Sequence, residues 1–474
     1  MSQAITNQKL IMLYSLTNQA EQATSIRLAV SFIMEGGAKL LAGPLKVAIA
    51  KGCSVELITG TYMQVTEPTA LYLLKQELGD GLRLFFYDHD DAVVYVGSSN
   101  VSRSALVTGV EWNYGLRRSI DPGSFVVFEN AYSDLRRRSK LVTDDILRQY
   151  AKAWRRPRQI IALFESETNE TRAEGPIEPR GAQIEALYEL ERTREDGFDK
   201  ALVVAATGLG KTYLAAFDSK NYKRVLFVGH REEILKQAAE SFKAVRPGLS
   251  VGLFTGEEKR RDAELTFARV QTIGKPDYLN PAFFAPDHFD YVIVDEFHHA
   301  AAASYQALLS YFKPEFLLGL TATPDRMDNR DIYSLCDHNL AYEVSLKNAI
   351  NRDWLAPFRY YGIYDPTDYD EIGYKNGQYD IVQLEVSLSK AERAHLVLEH
   401  YLRYCRKRAL GFCASIGHAQ EMSRFFVNNG IAATCVTSSK DSDPRYSMDR
   451  EEAVSKLKSG ELEIIFSVDI FNEG

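Results

Sequence analysis

Hydrophobic and polar positions change period repeatedly along this chain. KLLAGPLKVAIAKG places apolar residues three and four apart and predicts an amphipathic helix, whereas CSVELITG is a short β-branched run that predicts a buried strand. A second helical pattern, TEPTALYLLKQELG, leads into two strand patterns, LRLFFYD and AVVYVG. Alternating helices and strands imply an α/β sandwich over this part. Residues 125–163 read as helical. From about 164 to 179 the text becomes ESETNETRAEGPIEPR, acidic and proline-bearing, the composition of a linker and the expected main boundary. From 180 to 345 apolar runs (ALVVAA, RVLFVG, AELTF, YVIVDE, FLLGLTA) alternate with helices in the order of a parallel sheet. Residues 346–390 are aromatic- and aspartate-rich and read as an irregular connector. A second α/β series opens near 391 with strands ALGFCAS, AATCVTS and EIIFSVD.

Composition narrows the function classes. With 474 residues, 45% hydrophobic and 25% charged, the chain is neither disordered nor collagen-like. Its 56 basic and 64 acidic residues give a net charge of −8, which excludes a bulk polycation and leaves nucleic acid to local basic grooves. Two such clusters, Arg136-Arg137-Arg138 with Lys140 and Arg155-Arg156 with Arg158, read first as solvated helix faces. The five cysteines have no CxxC spacing and read as free thiols of a reducing compartment. The first residues lack the basic start and apolar stretch of a signal peptide, and no apolar run approaches the roughly 20 residues of a membrane helix. The expectation is a cytoplasmic protein with no membrane partner.

The strongest chemical signal is ALVVAATGLGKTYLAAF, a buried strand running through Thr207-Gly208-Leu209-Gly210-Lys211-Thr212 into a helix. Glycines let the backbone curl so that its N–H groups face phosphate, and the helix start adds a favourable partial charge. Lys211 would reach the β- and γ-phosphates and the Thr212 hydroxyl would ligate Mg²⁺. The pattern GxxxxGK[ST] starts on glycine, whereas Ala205 stands here. A phosphate loop needs a second carboxylate at another strand end, and YVIVDEFHH supplies Asp295 for the metal side and Glu296 to polarise the attacking water.

With these residues in place, the region from 180 to 474 resembles a superfamily 2 helicase of the DExH type, with motifs in that family's order. The resemblance implies two RecA-like lobes that clamp ATP and step along nucleic acid. Gln183, with Arg180 three residues before it, matches the glutamine that reads adenine. VGHREEILKQ resembles motif Ia, with His230, Arg231 and Gln237 near the nucleic-acid backbone. RVQTIGK resembles motif Ib, with Gln271 and Thr272. In DEFH, His298 would couple the nucleotide site to motif III, matched by Thr321-Ala322-Thr323. GFCASIGHA resembles motif IV and FSVDIFNEG motif V, with Ser467 where threonine is commoner; His230 and His418 are read evenly as structural or functional. The residues reach Gly474 inside motif V, before any QxxGRxxR pattern of motif VI. The expectation is a fragment or truncated form that binds ATP and hydrolyses it poorly.

A second resemblance lies upstream. Gly97-Ser98-Ser99-Asn100, with Asp90 at the matching distance before it and Glu111 after it, resembles the distal half of the phospholipase D signature HxKxxxxDxxxxxxGSxN. The histidine position is Arg83 and the lysine position Phe85, so the half that supplies the nucleophile is missing. The resemblance implies a phospholipase D-like fold over 1–135 that is nuclease-like but inactive, retained for DNA binding or homodimerisation. An active nuclease would have to recruit His89.

The expected organisation is therefore α/β throughout: a phospholipase D-like domain (1–135), a helical extension and linker (136–179), an ATP-binding RecA-like lobe (180–345), a connector (346–390) and a partial second lobe (391–474). The expected function is an ATP- and Mg²⁺-dependent helicase or translocase acting on DNA rather than RNA, in DNA repair or in restriction and phage defence. The alternatives are a non-hydrolysing, ATP-gated nucleic-acid clamp and a phospholipase D-type nuclease.

Overall fold

The computed structural model describes residues 3–5, 12–20, 22–61, 64–87, 113–115, 121–155, 177–323, 332–365, 369, 372–375, 378–388, 391–405, 408–437 and 443–468. Contacts divide the chain into two compact units, Met1–Pro357 and Phe358–Gly474.

Among the described residues the first unit holds two larger sheets and a small antiparallel pair, Gln3–Ile5 with Asn113–Gly115. In the N-terminal one, β1 (Ser25–Val30), β2 (Ser54–Gly60) and β3 (Leu82–Tyr87) run parallel and β4 (Lys140–Leu141) pairs antiparallel with β3. Helices α1 (Glu35–Ala50) and α2 (Pro68–Leu78) cover one face through Leu41, Leu45, Leu71 and Leu74. On the other face Leu135 of α3 (Pro122–Arg138) packs against Ile58 and Phe85. Helix α4 (Asp144–Ala153), capped by Thr143, adds Leu147 and Ala151 to the first face.

The larger sheet has seven parallel strands: β5 (Lys200–Ala205), β6 (Val225–Gly229), β7 (Val251–Phe254), β8 (Leu265–Arg269), β9 (Tyr291–Val294), β10 (Phe316–Thr321) and β11 (Leu340–Val344). They lie in the order β11-β5-β10-β9-β6-β8-β7. Both faces are buried. Val203, Ile293 and Leu318 point into one core, and Leu202, Val292 and Leu317 into the other, which is why the central strands read as unbroken apolar runs. Helices α5 (Ala182–Glu195), α6 (Lys211–Asp218) and α7 (Glu232–Val245) cover the first of these faces.

Helix α5 is shared. Its Ala182, Ala186 and Leu190 belong to the core of the large sheet, while Ile184 and Tyr188 belong to the core of the N-terminal sheet. Every residue from 182 to 190 is buried, including Gln183, Glu185 and Glu189.

The second unit has three parallel strands, Ala409–Phe412, Ala433–Val436 and Ile464–Ser467, with the last in the middle. Helix Ile416–Asn428 packs Met422 and Phe426 against them.

Of the strands that the sequence reading passes over, the three longest, Ser25–Val30, Val251–Phe254 and Leu340–Val344, are all edge strands. Edge strands need less apolar sequence, and their side chains here are largely half-exposed. The strand pattern AVVYVG lies outside the described residues. The basic cluster at 136–138 is not simply a solvated face: the Arg136 guanidinium sits 3.3 Å over the Phe85 ring, and Arg138 lies 5.6 Å from that of Tyr87.

Gly319, in the middle of β10, has no room for a methyl group, since a Cβ there would lie 2.7 Å from the Phe297 ring. Phe297 is fully buried, so Gly319→Ala is expected to destabilise the first unit by about 1–3 kcal/mol through overpacking, measured as a lower urea midpoint with unchanged slope.

Candidate nucleotide site

The strand ends of the large sheet gather the chemistry. After β5 the chain turns through Gly208 (φ +91°) and Gly210 (φ +76°) into helix α6, which begins at Lys211. Both glycines are in the left-handed region that side chains disfavour. Gly210 is also pressed by a neighbour, since a Cβ on it would lie 2.5 Å from Gln183 Nε2. That amide donates to the carbonyls of Leu209 and Gly210, both at 3.2 Å, and its Oε1 accepts from the Arg180 N–H at 3.2 Å. In this structure Gln183 thus braces the phosphate loop.

Lys211 Nζ donates to the Ala205 carbonyl at 3.0 Å. Burial pulls its pKa down, against the fields of Glu296 and Asp295. Asp295 follows β9 directly, its N–H donating to the Val228 carbonyl at 3.0 Å. Burial pushes the Asp295 carboxyl above the usual carboxylate range, opposed by Lys211, the Glu296 N–H and His230. Glu296 adopts φ +49°, a left-handed conformation uncommon outside glycine and costing about 1–3 kcal/mol. The kink turns the chain into the short helical turn Phe297–His299. There His298 Nδ1 lies 3.1 Å from Thr321 Oγ1 and 3.3 Å from Glu296 Oε2. Thr321 Oγ1 also accepts from the Thr323 N–H at 3.2 Å. The fold therefore brings the loop, the acidic pair, His298 and the Thr321–Thr323 turn to neighbouring strand ends.

The candidate nucleic-acid residues are more dispersed. His230 ends the β6 segment and packs edge-on against His299 at 5.2 Å, and Arg231 opens helix α7. Gln237 lines an open groove of about 940 Å³ with Lys236, Lys243 and Arg260. Gln271 accepts from Arg269 Nε at 3.1 Å, and Thr272 is buried. In the second unit His418 is buried; its N–H bonds Ser415 Oγ at 3.1 Å and its Nδ1 accepts from Ala414 at 3.4 Å, a structural arrangement. Ser467 is also buried, and the rest of the motif V text lies outside the described residues.

Asp90, Gly97, Ser98, Asn100 and Glu111, together with His89, lie outside the described residues. The two positions where the signature would hold its histidine and lysine are described. Arg83 pairs with Glu56 at 3.0 Å, and Phe85 is fully buried beneath Arg136. Those side chains are committed to packing and ion pairing.

Two residues near the loop carried no signal in the sequence. Trp354 packs on Gly181, and Leu355 stands 3.0 Å from where a Gly208 Cβ would be. Nothing in an isolated Trp-Leu pair announces contact with a loop so far upstream.

Residues 176–326 match the family model described as the type III restriction enzyme res subunit. This matched part of the first unit, which holds the phosphate loop and the acidic pair, is similar to a superfamily 2 helicase lobe. Among curated proteins, a Saccharomyces cerevisiae protein named as the ATP-dependent helicase IRC3 is 25% identical over 62% of this chain and 45% of its own length. The type I restriction enzyme EcoAI endonuclease subunit of Escherichia coli is 28% identical over 53% of this chain and 34% of its own. A 51.5 kDa protein of a Lactococcus phage is 27% identical over 53% of this chain and 50% of its own. The chain thus spans half or less of the length of these relatives.

The helicase lobe fits ATP and Mg²⁺: the loop is a cradle that a Cβ would fill, and a buried lysine faces a buried carboxylate. Among the described residues no group of three or more His, Cys, Asp or Glu could hold a metal on its own. A Mg²⁺ ion here would rely on one or two protein oxygens plus phosphates, its usual arrangement. No helix of the described residues is long and apolar enough to cross a membrane.

A carboxyl whose folded pKa is raised makes the native state bind more protons than the unfolded one, so stability falls as pH rises through that window. Asp295→Asn removes this cost. Without nucleotide its melting temperature should exceed that of the parent at pH 7, and the two should converge below the ordinary carboxylate value of about 3.9. A pH series of thermal melts checks this.

Proposed function

We propose that the chain is the motor portion of an ATP-dependent DNA translocase or helicase of superfamily 2, serving DNA repair or restriction and phage defence in the cytoplasm. The observation that carries the reading is the meeting of Lys211, Asp295–Glu296 and the His298–Thr321 contact at adjacent strand ends, with Gln183 on the loop. Lys211 leaves the Ala205 carbonyl for the β- and γ-phosphates, and the backbone N–H groups from Thr207 to Thr212 take the remaining phosphate oxygens. Arg180 and Gln183 face the adenine. Thr212 and Asp295 would hold Mg²⁺, which when bound supplies positive charge to the phosphate oxygens. Glu296, presented by its left-handed kink, orients and polarises the attacking water. His298 passes the state of that site to Thr321 and Thr323. The DNA backbone runs past His230, Arg231, Gln237 and the Gln271–Thr272 turn, so binding weakens steeply with salt.

For the N-terminal part, the Gly97-Ser98-Ser99-Asn100 text supports a phospholipase D-like domain that binds DNA or pairs two copies of the chain. The commitment of Arg83 and Phe85 to packing favours an inactive one.

ATP hydrolysis with and without single- or double-stranded DNA, alongside Lys211→Ala, tests the reading. DNA should stimulate turnover in the parent, and the variant should lose it by about 10²–10³-fold while keeping its fold. Equal turnover in the two proteins would overturn the assignment.

A further inference from the structure

Helix α5 is engaged along its first two turns. At its start Gln183 holds the phosphate loop. Two residues on, Glu185 is 2% exposed and receives Arg352 through Nη1 at 2.8 and 2.9 Å and the Tyr342 hydroxyl at 2.8 Å. The second terminal nitrogen of Arg352 donates to the Ala151 carbonyl, in the last turn of α4 and so in the N-terminal domain. A turn further, Glu189 accepts Arg148, also of α4, at 2.9 and 2.8 Å. One guanidinium therefore ties together the helix that braces the loop, the N-terminal domain, and the Arg352–Leu355 segment whose Leu355 abuts Gly208.

A buried ion pair adds little net stability compared with apolar packing, but it fixes geometry and is costly to break on one side. The pair is made two residues from Gln183 on the same helix. We propose that Arg352 and Glu185 are positioning residues for the nucleotide site, holding Gln183 against the phosphate loop and making nucleotide affinity depend on the docked N-terminal domain. Arg148 contributes to the same clamp from its partly exposed position. This rests on the reading of the loop as an ATP site.

The test is the affinity of a fluorescent ATP analogue for the full chain, with Arg352→Gln, Arg148→Gln, Gln183→Ala and Lys211→Ala, each checked for fold by circular dichroism. Arg352→Gln and Arg148→Gln should weaken binding by about five- to tenfold. When either is combined with Gln183→Ala, the loss should be less than the product of the single effects, because both act through one side chain. A merely structural role predicts a lower melting temperature with unchanged affinity in the folded fraction. Folded variants that bind like the parent would overturn the proposal. If Arg352→Gln does not fold, Arg148→Gln decides in the same way, and parent-like binding by it would also overturn the proposal. Absence of binding by the parent, or binding undiminished in Lys211→Ala, would instead overturn the ATP-site reading and this proposal with it.

Discussion

The constraint on which the first unit depends is the burial, from all sides, of the first nine residues of one helix. Helix α5 leads into the large sheet, yet Ile184 and Tyr188 complete the core of the N-terminal sheet while Ala186 and Leu190 complete that of the large one. A helix between two cores has no solvated face for polar side chains, and this one carries Gln183, Glu185 and Glu189. Each needs a partner, because an unpaired buried carboxylate would cost several kcal/mol. The loop carbonyls, Arg352 with Tyr342, and Arg148 with Tyr72 are those partners. Polar satisfaction thus does what apolar packing alone could not, fixing the rotation and register of the helix relative to the loop.

The same logic, with the opposite sign, governs the strand ends. Lys211 and Asp295 are buried beyond what their mutual attraction offsets, for burial shifts both pKa values away from the charged form. Glu296 adds a left-handed backbone. These are costs carried by the surrounding sheet, whose central strands are close to fully buried. A site built this way is stabilised by what it binds, since a ligand bringing negative phosphates and a cation would pair both groups at once.

How much of this was legible in sequence follows from distance along the chain. The phosphate loop is local: strand, glycines, lysine and helix lie within a dozen residues, and each is required by the chemistry of holding phosphate. The apolar runs of the central strands are local too, and five of the seven strands announce themselves. Arg352 and Glu185 stand 167 positions apart, and neither an arginine after a short helix nor a glutamate in an amphipathic one has any distinguishing neighbour. The shared role of α5 was likewise hidden. Its pattern AQIEALYELERTRE mixes charged and apolar residues around the helix, whereas burial of residues 182–190 on every side is a tertiary fact created by two sheets.

In the N-terminal sheet the side chains at positions 83 and 85 are held by packing and ion pairing. Arg27, Glu56 and Arg83 are direct neighbours across β1, β2 and β3, so the Arg83 charge is answered by Glu56 within the sheet. Phe85, two residues on and therefore on the same face, fills the space beneath α3 and takes the Arg136 guanidinium on its ring. Placing a histidine and a lysine at 83 and 85 would strip Glu56 of its pairing partner and leave an ammonium where a fully buried phenyl ring now packs. The two positions are thus coupled to α3 and to the sheet by packing rather than by reaction. The side of this domain that bears on the helicase lobe is its opposite face, where α2 and α4 meet α5 through Tyr72, Arg148 and Ala151. What selection could preserve there is the wall against which the loop-bracing helix is held, with or without any chemistry on the strands behind it.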